Sequence, residues 1–145
     1  GCISNGNDIA SALQMGADLA YMGTRFINVN ESMADKSYQK MIMDSKAEDI
    51  IYTAAVSGVH ASFLRPSLEA MGITQELWKQ TKKVDFGSEL DHAKEEAKAW
   101  KTIWSAGQGV TSISDVKPTG ELISQLKSEF EKALLKQKDY HRYFF

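Results

Sequence analysis

The chain has 145 residues, of which 43% are hydrophobic and 25% charged, a composition typical of a single globular domain. The net charge of −2 gives no sign of binding to nucleic acid, and no apolar run approaches the roughly 18 residues that would indicate a membrane span. The single cysteine, Cys2, excludes an internal disulfide framework and fits a cytoplasmic protein.

The first 30 residues alternate turns with regular elements. Apolar residues on one face, followed by Gly16, predict a helix at residues 7–15. The apolar run "ADLAYMGT" at residues 17–24 predicts a buried strand that ends at Gly23. This order of turn, helix, strand and turn is typical of a βαβ unit without its first strand.

The middle of the chain mixes predicted helices with a short apolar run. We expect a helix at residues 31–46, while "DIIYTAAVSG" at residues 49–58 is typical of a strand or extended segment. "HASFLRPSLEAMG", residues 60–72, favours a helix with its proline near the start or at a kink. A short helix is predicted after Thr74, an N-cap residue type.

The last third is predicted to be helical with one interruption. "ELDHAKEEAKAWKTIW" at residues 89–104 is a strong helix former, and "SAGQGV" interrupts it. The final helix is predicted to begin at Pro118, and its apolar stripe consists of Leu122, Leu126, Phe130 and Leu134. Taken together, these predicted elements indicate an α/β chain that is mostly α-helical with one or two strands. A lone parallel-type strand lacks partners, so the sequence resembles the back end of a larger α/β protein.

The two glycine-marked turns near the start suggest an anion site. Gly1 and Cys2 open the first turn, and Gly23 and Thr24 form the second. Backbone N–H groups at such turns can form a cradle for phosphate, and the Thr24 hydroxyl adds a further donor. In (β/α)8 barrels the loops after strands 7 and 8 build a site of this kind. On spacing alone, however, simple turn glycines are the plainer interpretation.

Several separated segments resemble one family in the same order. They are "GCISNGNDIASALQMGADLAYMGTRF", "FINVNES", "SGVHASFLRPSLEAMGI", "FGSELDHAKEEAKAW" and "IWSAGQGVTSISDVKPTGELISQL". Together they resemble the nitronate monooxygenase family, formerly called 2-nitropropane dioxygenases. The first segment is similar to that family's FMN-phosphate region, whose pattern is Gly-Gly-Ile, a helix, Gly-Ala-Asp and Gly-Thr-Arg-Phe.

The resemblance implies a C-terminal fragment of an FMN-binding (β/α)8 TIM barrel with a helical extra domain. Residues 1–30 would hold the last barrel unit with the phosphate-binding turns. Residues 31–105 would form the helical extra domain and its connections, and residues 106–145 a flavin-side loop and the C-terminal barrel helix. Enzymes of the family use FMN and O2 to oxidise alkyl nitronates to a carbonyl compound and nitrite.

The same resemblance implies a set of cofactor-binding residues. Carried over by position, FMN phosphate would be held by Gly1, Cys2, Gly23 and Thr24, while Gln108 in "AGQG" would lie near the flavin. Cys2 stands where the family usually has a second glycine, so a side chain crowds the approach there. The family's catalytic histidine lies in a Gly-Gly-His segment that has no match here. We therefore expect no catalytic residue in this chain and no activity from it alone.

Two alternatives stay open at this point. FMN-dependent enoyl-acyl-carrier-protein reductases and NAD(P)H:quinone reductases share the same barrel segment, and the residues that separate them are absent from this sequence. A non-catalytic helical interaction module is the alternative from another class. In that case a partner or self-association would have to cover the surface left by the missing barrel.

Overall fold

The computed structural model describes residues 2–56, 58–79 and 102–144. Gly1 and most of the helix predicted at residues 89–104 lie outside these ranges. The described helices are α1 (Gly6–Gln14), α2 (Thr24–Ile27), α3 (Lys36–Asp44), α4 (Arg65–Ala70), α5 (Gln75–Trp78) and α6 (Thr119–Phe144). Two 3₁₀ turns lie at Ala47–Asp49 and Gln108–Ser112, and the strands are β1 (Ile50–Thr53) and β2 (Ala61–Leu64). The described chain is thus mostly helical with two strands, as predicted.

Local capping explains where α1 begins. The Asn5 side chain accepts a hydrogen bond from the Asp8 N–H at 2.9 Å, and the Asp8 carboxylate accepts one from the Asn5 N–H at 3.2 Å. This reciprocal pair satisfies N–H groups that a helix start leaves without intrahelical partners. The prediction of a helix at residues 7–15 is confirmed within one residue at each end.

Helix α1 packs closely on α6. Gly6 is buried at the contact, and a Cβ added there would lie 2.4 Å from both the Leu126 carbonyl oxygen and the Phe130 nitrogen. The Gly6 N–H also donates to the Glu129 carboxylate at 2.8 Å. A glycine is required at this position because any side chain would meet the backbone of α6.

The two strands form an antiparallel pair rather than part of a barrel. Ile50 pairs with Leu64 and Thr53 with Ala61. The prediction of a helix throughout residues 60–72 was therefore wrong for residues 61–64. Pairing with β1 holds those residues extended, and the helix begins only at Arg65, with proline in its first turn.

The strand predicted at residues 17–24 is not formed. Residues 17–22 are irregular, and Leu19 and Tyr21 are 87% and 89% exposed. A strand needs neighbours that accept and donate its backbone hydrogen bonds, and the described residues place none beside this segment. The prediction of a buried strand from the apolar pattern was therefore wrong for this segment.

The buried side chains form three clusters. The first lies under the loop before α6 and comprises Ile42, Leu64, Ala106, Val110 and Ile113. The second joins α6 to the segment after α2 and comprises Val29, Leu122 and Leu126. The third lies between the hairpin and α4 and comprises Phe63, Leu68 and Ile103. The apolar stripe predicted on α6 is buried at its start, but Leu134 near its end is 37% exposed.

Within the described ranges, no helix combines the length and apolar character that crossing a membrane requires.

Candidate functional site

The second glycine-marked turn contacts the loop that contains "AGQG". The Thr24 hydroxyl oxygen accepts a hydrogen bond from the Gly107 N–H at 2.9 Å, although 83 residues separate the two. Because a hydroxyl carries one donor hydrogen besides its acceptor lone pairs, Thr24 keeps its own O–H for another partner. The turn and the loop are thus brought together at the start of α2.

The opening segment contacts the same loop. The Ser4 hydroxyl donates to the Gly109 carbonyl at 3.0 Å in a buried bond, and the Cys2 thiol donates to Gln108 Oε1 at 3.5 Å. A Cβ added to Gly109 would lie 2.1 Å from the Ser4 hydroxyl oxygen. Gly109 therefore permits a close approach of two chain segments that lie 105 residues apart.

The junction formed by residues 2–4, 23–25 and 105–109 brings together four of the five predicted site residues. Cys2, Gly23 and Gln108 are exposed there, and Thr24 is half-buried. Gly1 lies outside the described residues. Sequence reasoning missed Ser4, and the two glycines in "AGQG" were the available signal for the close packing of that loop.

Gly23 has no role in the fold that demands glycine. Its torsion angles, φ −104° and ψ −66°, are open to ordinary residues, and an added Cβ would meet no described atom within 4 Å. The space beside the turn is therefore open to a ligand. An exposed turn without a crowding side chain leaves room for a phosphate group, which backbone N–H and hydroxyl donors can bind.

Arg25, the residue after Thr24, points away from this opening. It is only 3% exposed, and its guanidinium donates to Asp115 Oδ1 at 2.7 Å. Lys117 Nζ lies 2.8 Å from the other carboxylate oxygen of Asp115. Burial alone would raise the pKa of Asp115, but the hydrogen bond from Lys117 and the charge of Arg25 outweigh it and lower the pKa. Arg25 is thus paired within the protein, with Asp115 as its acidic partner.

The start of the loop is anchored by two aromatic residues. The Tyr38 and Trp104 rings stack with centroids 5.1 Å apart, and the Tyr38 hydroxyl donates to the Ser105 carbonyl. Burial raises the pKa of Tyr38, and the bond to Ser105 partly opposes that effect. Trp104 also packs against the first buried cluster.

An apolar cleft of about 560 Å³ lies beside the junction, between α1, α6 and residues 20–22. Its lining includes Leu13, Tyr21, Phe26 and Leu126. Among the residues that the structure describes, no group of three or more His, Cys, Asp or Glu side chains is placed to hold a metal ion.

Comparison with known proteins gives consistent matches. The family model for nitronate monooxygenase matches residues 1–129. A curated nitronate monooxygenase from Paraburkholderia phytofirmans is 31% identical over 142 residues, which cover 92% of this chain and 37% of that protein. The chain therefore spans little more than a third of the length of the curated relative it matches.

Solved structures of related enzymes match the fold of this chain. A mutant of FabK from Thermotoga maritima matches with a TM-score of 0.70 and 26% identity, over 97% of this chain and 42% of that one. Nitroalkane oxidase from Streptomyces ansochromogenes matches with a TM-score of 0.65 and 27% identity, over 94% and 39%. The expected fold class is confirmed, since the chain matches part of an α/β TIM-barrel architecture. With the family model and the curated relative in agreement, the chain belongs to the nitronate monooxygenase family.

Proposed function

We propose that this chain supplies the phosphate-binding side of an FMN-dependent oxidoreductase. The observation that carries the proposal is the junction, where two separate turns and the "AGQG" loop meet around an open, donor-bearing surface. Membership of the nitronate monooxygenase family supports FMN as the ligand. FMN, when bound, supplies a ring that accepts electrons from a substrate and passes them to O2.

The residues of the chain have binding roles in this proposal. The backbone N–H groups of Gly1, Cys2, Gly23 and Thr24, with the Thr24 hydroxyl, donate to the phosphate, and Gln108 lies toward the flavin. Peptide N–H and hydroxyl donors are neutral, and the adjacent arginine is paired with Asp115. Orientation of the phosphate therefore rests on aligned N–H dipoles rather than on a direct ion pair.

The proposed reaction is oxidation of an alkyl nitronate with O2 to a carbonyl compound and nitrite. The name of the curated relative supports this reaction. The domain division at residues 1–30, 31–105 and 106–145 also stays a proposal. In this scheme the chain binds and orients the cofactor, and none of its residues is assigned a catalytic role.

A FabK-like activity is the second candidate, favoured by the structural match to FabK. The enoyl-acyl-carrier-protein reductase and quinone reductase alternatives differ from the first proposal in using a nicotinamide. Adding a nitronate or a reduced nicotinamide to the flavin-loaded full-length protein under air-free conditions separates them. Bleaching of the flavin spectrum by only one of the two reductants identifies its class.

The binding proposal is tested by comparing FMN with riboflavin, which lacks the phosphate. Flavin fluorescence titration of the 145-residue chain gives both dissociation constants. We expect Gly23→Val to weaken FMN binding about tenfold or more and to leave riboflavin binding unchanged, because the side chain occupies the phosphate position. Gly120→Val is the matched control, since Gly120 is also exposed with open space around it. Equal FMN affinity in the two variants would show that this turn does not bind the phosphate.

A further inference from the structure

Arg25 is a buried charge whose contacts reach across the chain. Its guanidinium donates to the Asn28 carbonyl at 3.3 Å, within its own turn. It also donates to the Asp115 carbonyl at 3.4 Å and to the Asp115 carboxylate at 2.7 Å, 90 residues away. A planar guanidinium with several fixed donors can hold two chain segments in one relative position, which a lysine ammonium does less well.

The segment that carries Asp115 is itself fixed to the core. Ile113 is buried with Val110, and the Lys117 carbonyl accepts a hydrogen bond from the Asn30 N–H at 3.0 Å. Lys117 also pairs with Val29 in an isolated parallel bridge. Asp115 thus lies between two anchored points, and its contact with Arg25 joins the turn to this segment.

The Gly23–Arg25 end of α2 has little intrinsic stability, whereas the other end is held by Gln39, whose Nε2 donates to the Ile27 carbonyl at 2.9 Å and to the Val29 carbonyl at 3.0 Å. Helix α2 is only four residues long, and Gly23 at its N-cap has no side chain with which to cap it. Such a short helix is not stable by itself, because nucleation fixes more torsions than it gains hydrogen bonds. Thr24 is tied to Gly107 on one side, and Arg25 is tied to Asp115 on the other.

We propose that the Arg25–Asp115 pair is a positioning device for the phosphate-binding turn, holding Gly23 and Thr24 against the "AGQG" loop. The inference rests on the proposed function, in which this turn binds FMN. Arg25 is a positioning residue and not a ligand, because both terminal nitrogens of its buried guanidinium donate to protein acceptors. Loss of the pair should therefore weaken recognition of the phosphate more than recognition of the ring.

The experiment uses the 145-residue chain with Arg25→Gln, Arg25→Lys and Asp115→Asn. The FMN and riboflavin dissociation constants are measured for each, with NMR-detected hydrogen exchange at the Gly107 amide. We expect Arg25→Gln and Asp115→Asn each to weaken FMN binding about tenfold, with riboflavin changed less than twofold, and to accelerate Gly107 exchange about tenfold. Arg25→Lys should restore part of both effects, since it keeps the charge but not the fork of donors.

Two controls separate positioning from general effects. Arg142→Gln removes an exposed arginine from the last turns of α6 and should change neither readout. Leu68→Val weakens the third buried cluster, away from the turn, and reports what general destabilisation alone does to flavin binding. Because Arg25→Lys and Asp115→Asn perturb the site less than Arg25→Gln, they keep the test decisive if that variant does not fold.

The outcomes of the two readouts are distinguishable. If FMN and riboflavin weaken equally, or if Gly107 exchange is unchanged in folded variants, the positioning role is wrong. If the unaltered chain binds FMN no better than riboflavin, the proposed phosphate site fails instead. In that case Gly107 exchange still decides whether the pair holds the turn against the loop.

Discussion

Two neighbouring regions of the molecule, each of which includes part of its first 26 residues, differ sharply in how many contacts they make with the rest of the described chain. The junction joins residues 2–4, 23–25 and 105–109 through hydrogen bonds between segments that lie 83 to 106 residues apart. The apolar face carries Met15, Leu19 and Tyr21, each more than four-fifths exposed. The junction finds its partners within the described chain, whereas the apolar face does not.

The difference shows which interactions the described chain completes by itself. Polar contacts at the junction need only a few correctly placed atoms, and the loop before α6 supplies them. Residues 17–22 would need neighbouring strands and a second packed layer to be buried as a strand, and the described residues provide neither. The apolar cleft beside the face, about 560 Å³ in volume, is the space that such a layer would border.

The largest effect is expected where α1 meets α6, because both regions depend on that contact. Gly6→Ala would place a methyl group 2.4 Å from two backbone atoms of α6. We expect a loss of about 3 kcal/mol in the free energy of unfolding, since backbone cannot move aside as a side chain can. Urea denaturation measures it, with Gly120→Ala as the control in open space. Unchanged stability in Gly6→Ala would mean that the two helices do not pack this closely.

A smaller loss is expected inside the junction. Ser4→Ala removes the buried donor to the Gly109 carbonyl and should cost about 1–2 kcal/mol. Ser124→Ala is the matched control, because its exposed hydroxyl also donates to a carbonyl, that of Gly120, but within α6. Comparable losses in the two variants would contradict a special role for the Ser4 contact. Denaturant midpoints at one protein concentration give the comparison.

The apolar face should behave in the opposite way. Leu19→Asp combined with Tyr21→Ser should change the free energy of unfolding by less than about 0.5 kcal/mol, because both side chains are already exposed. If self-association covers the face, the molar mass from light scattering should fall to that of a monomer. Leu135→Asp, at an exposed leucine of α6, is the control. Loss of stability in the double variant without any change in mass would show that the face is packed within the monomer.

The smallest effect is expected at the exposed cap of α6, which belongs to neither region. The Glu31 carboxylate accepts hydrogen bonds from the Thr119 hydroxyl at 2.7 Å and from the Thr119 N–H at 2.9 Å. The side-chain bond, followed by the backbone bond, lowers the pKa of Glu31. A depressed folded-state pKa gives stability that is present above the unfolded pKa and is lost as pH falls through the folded value.

We therefore expect Glu31→Gln to reduce the loss of stability seen on acidification below about pH 4.5. Melting temperatures measured between pH 3 and pH 7 report this loss of stability. Glu131→Gln, which changes an exposed glutamate within α6 itself, should leave that part of the pH dependence unchanged. A parallel response of both variants would rule out the cap as the cause.

Much of the local structure and the family was predictable from the amino-acid order. The asparagine before α1, the glycine after it and the proline before α6 set helix boundaries through neighbouring atoms. The motifs around "GADLAYMGTRF" and "AGQG" identified the family, which the comparisons confirm. The roles of Cys2, Gly23, Thr24 and Gln108 toward FMN stay predictions.

The tertiary structure alone decided how these pieces meet. Nothing in the local pattern indicates that Ser4 bonds to Gly109, that Arg25 turns to Asp115, or that residues 61–64 pair as a strand. Periodicity and capping act over a few residues, whereas these contacts depend on which distant segment lies alongside. For the same reason the strand pattern at residues 17–24 predicted burial, whereas Leu19 and Tyr21 are exposed.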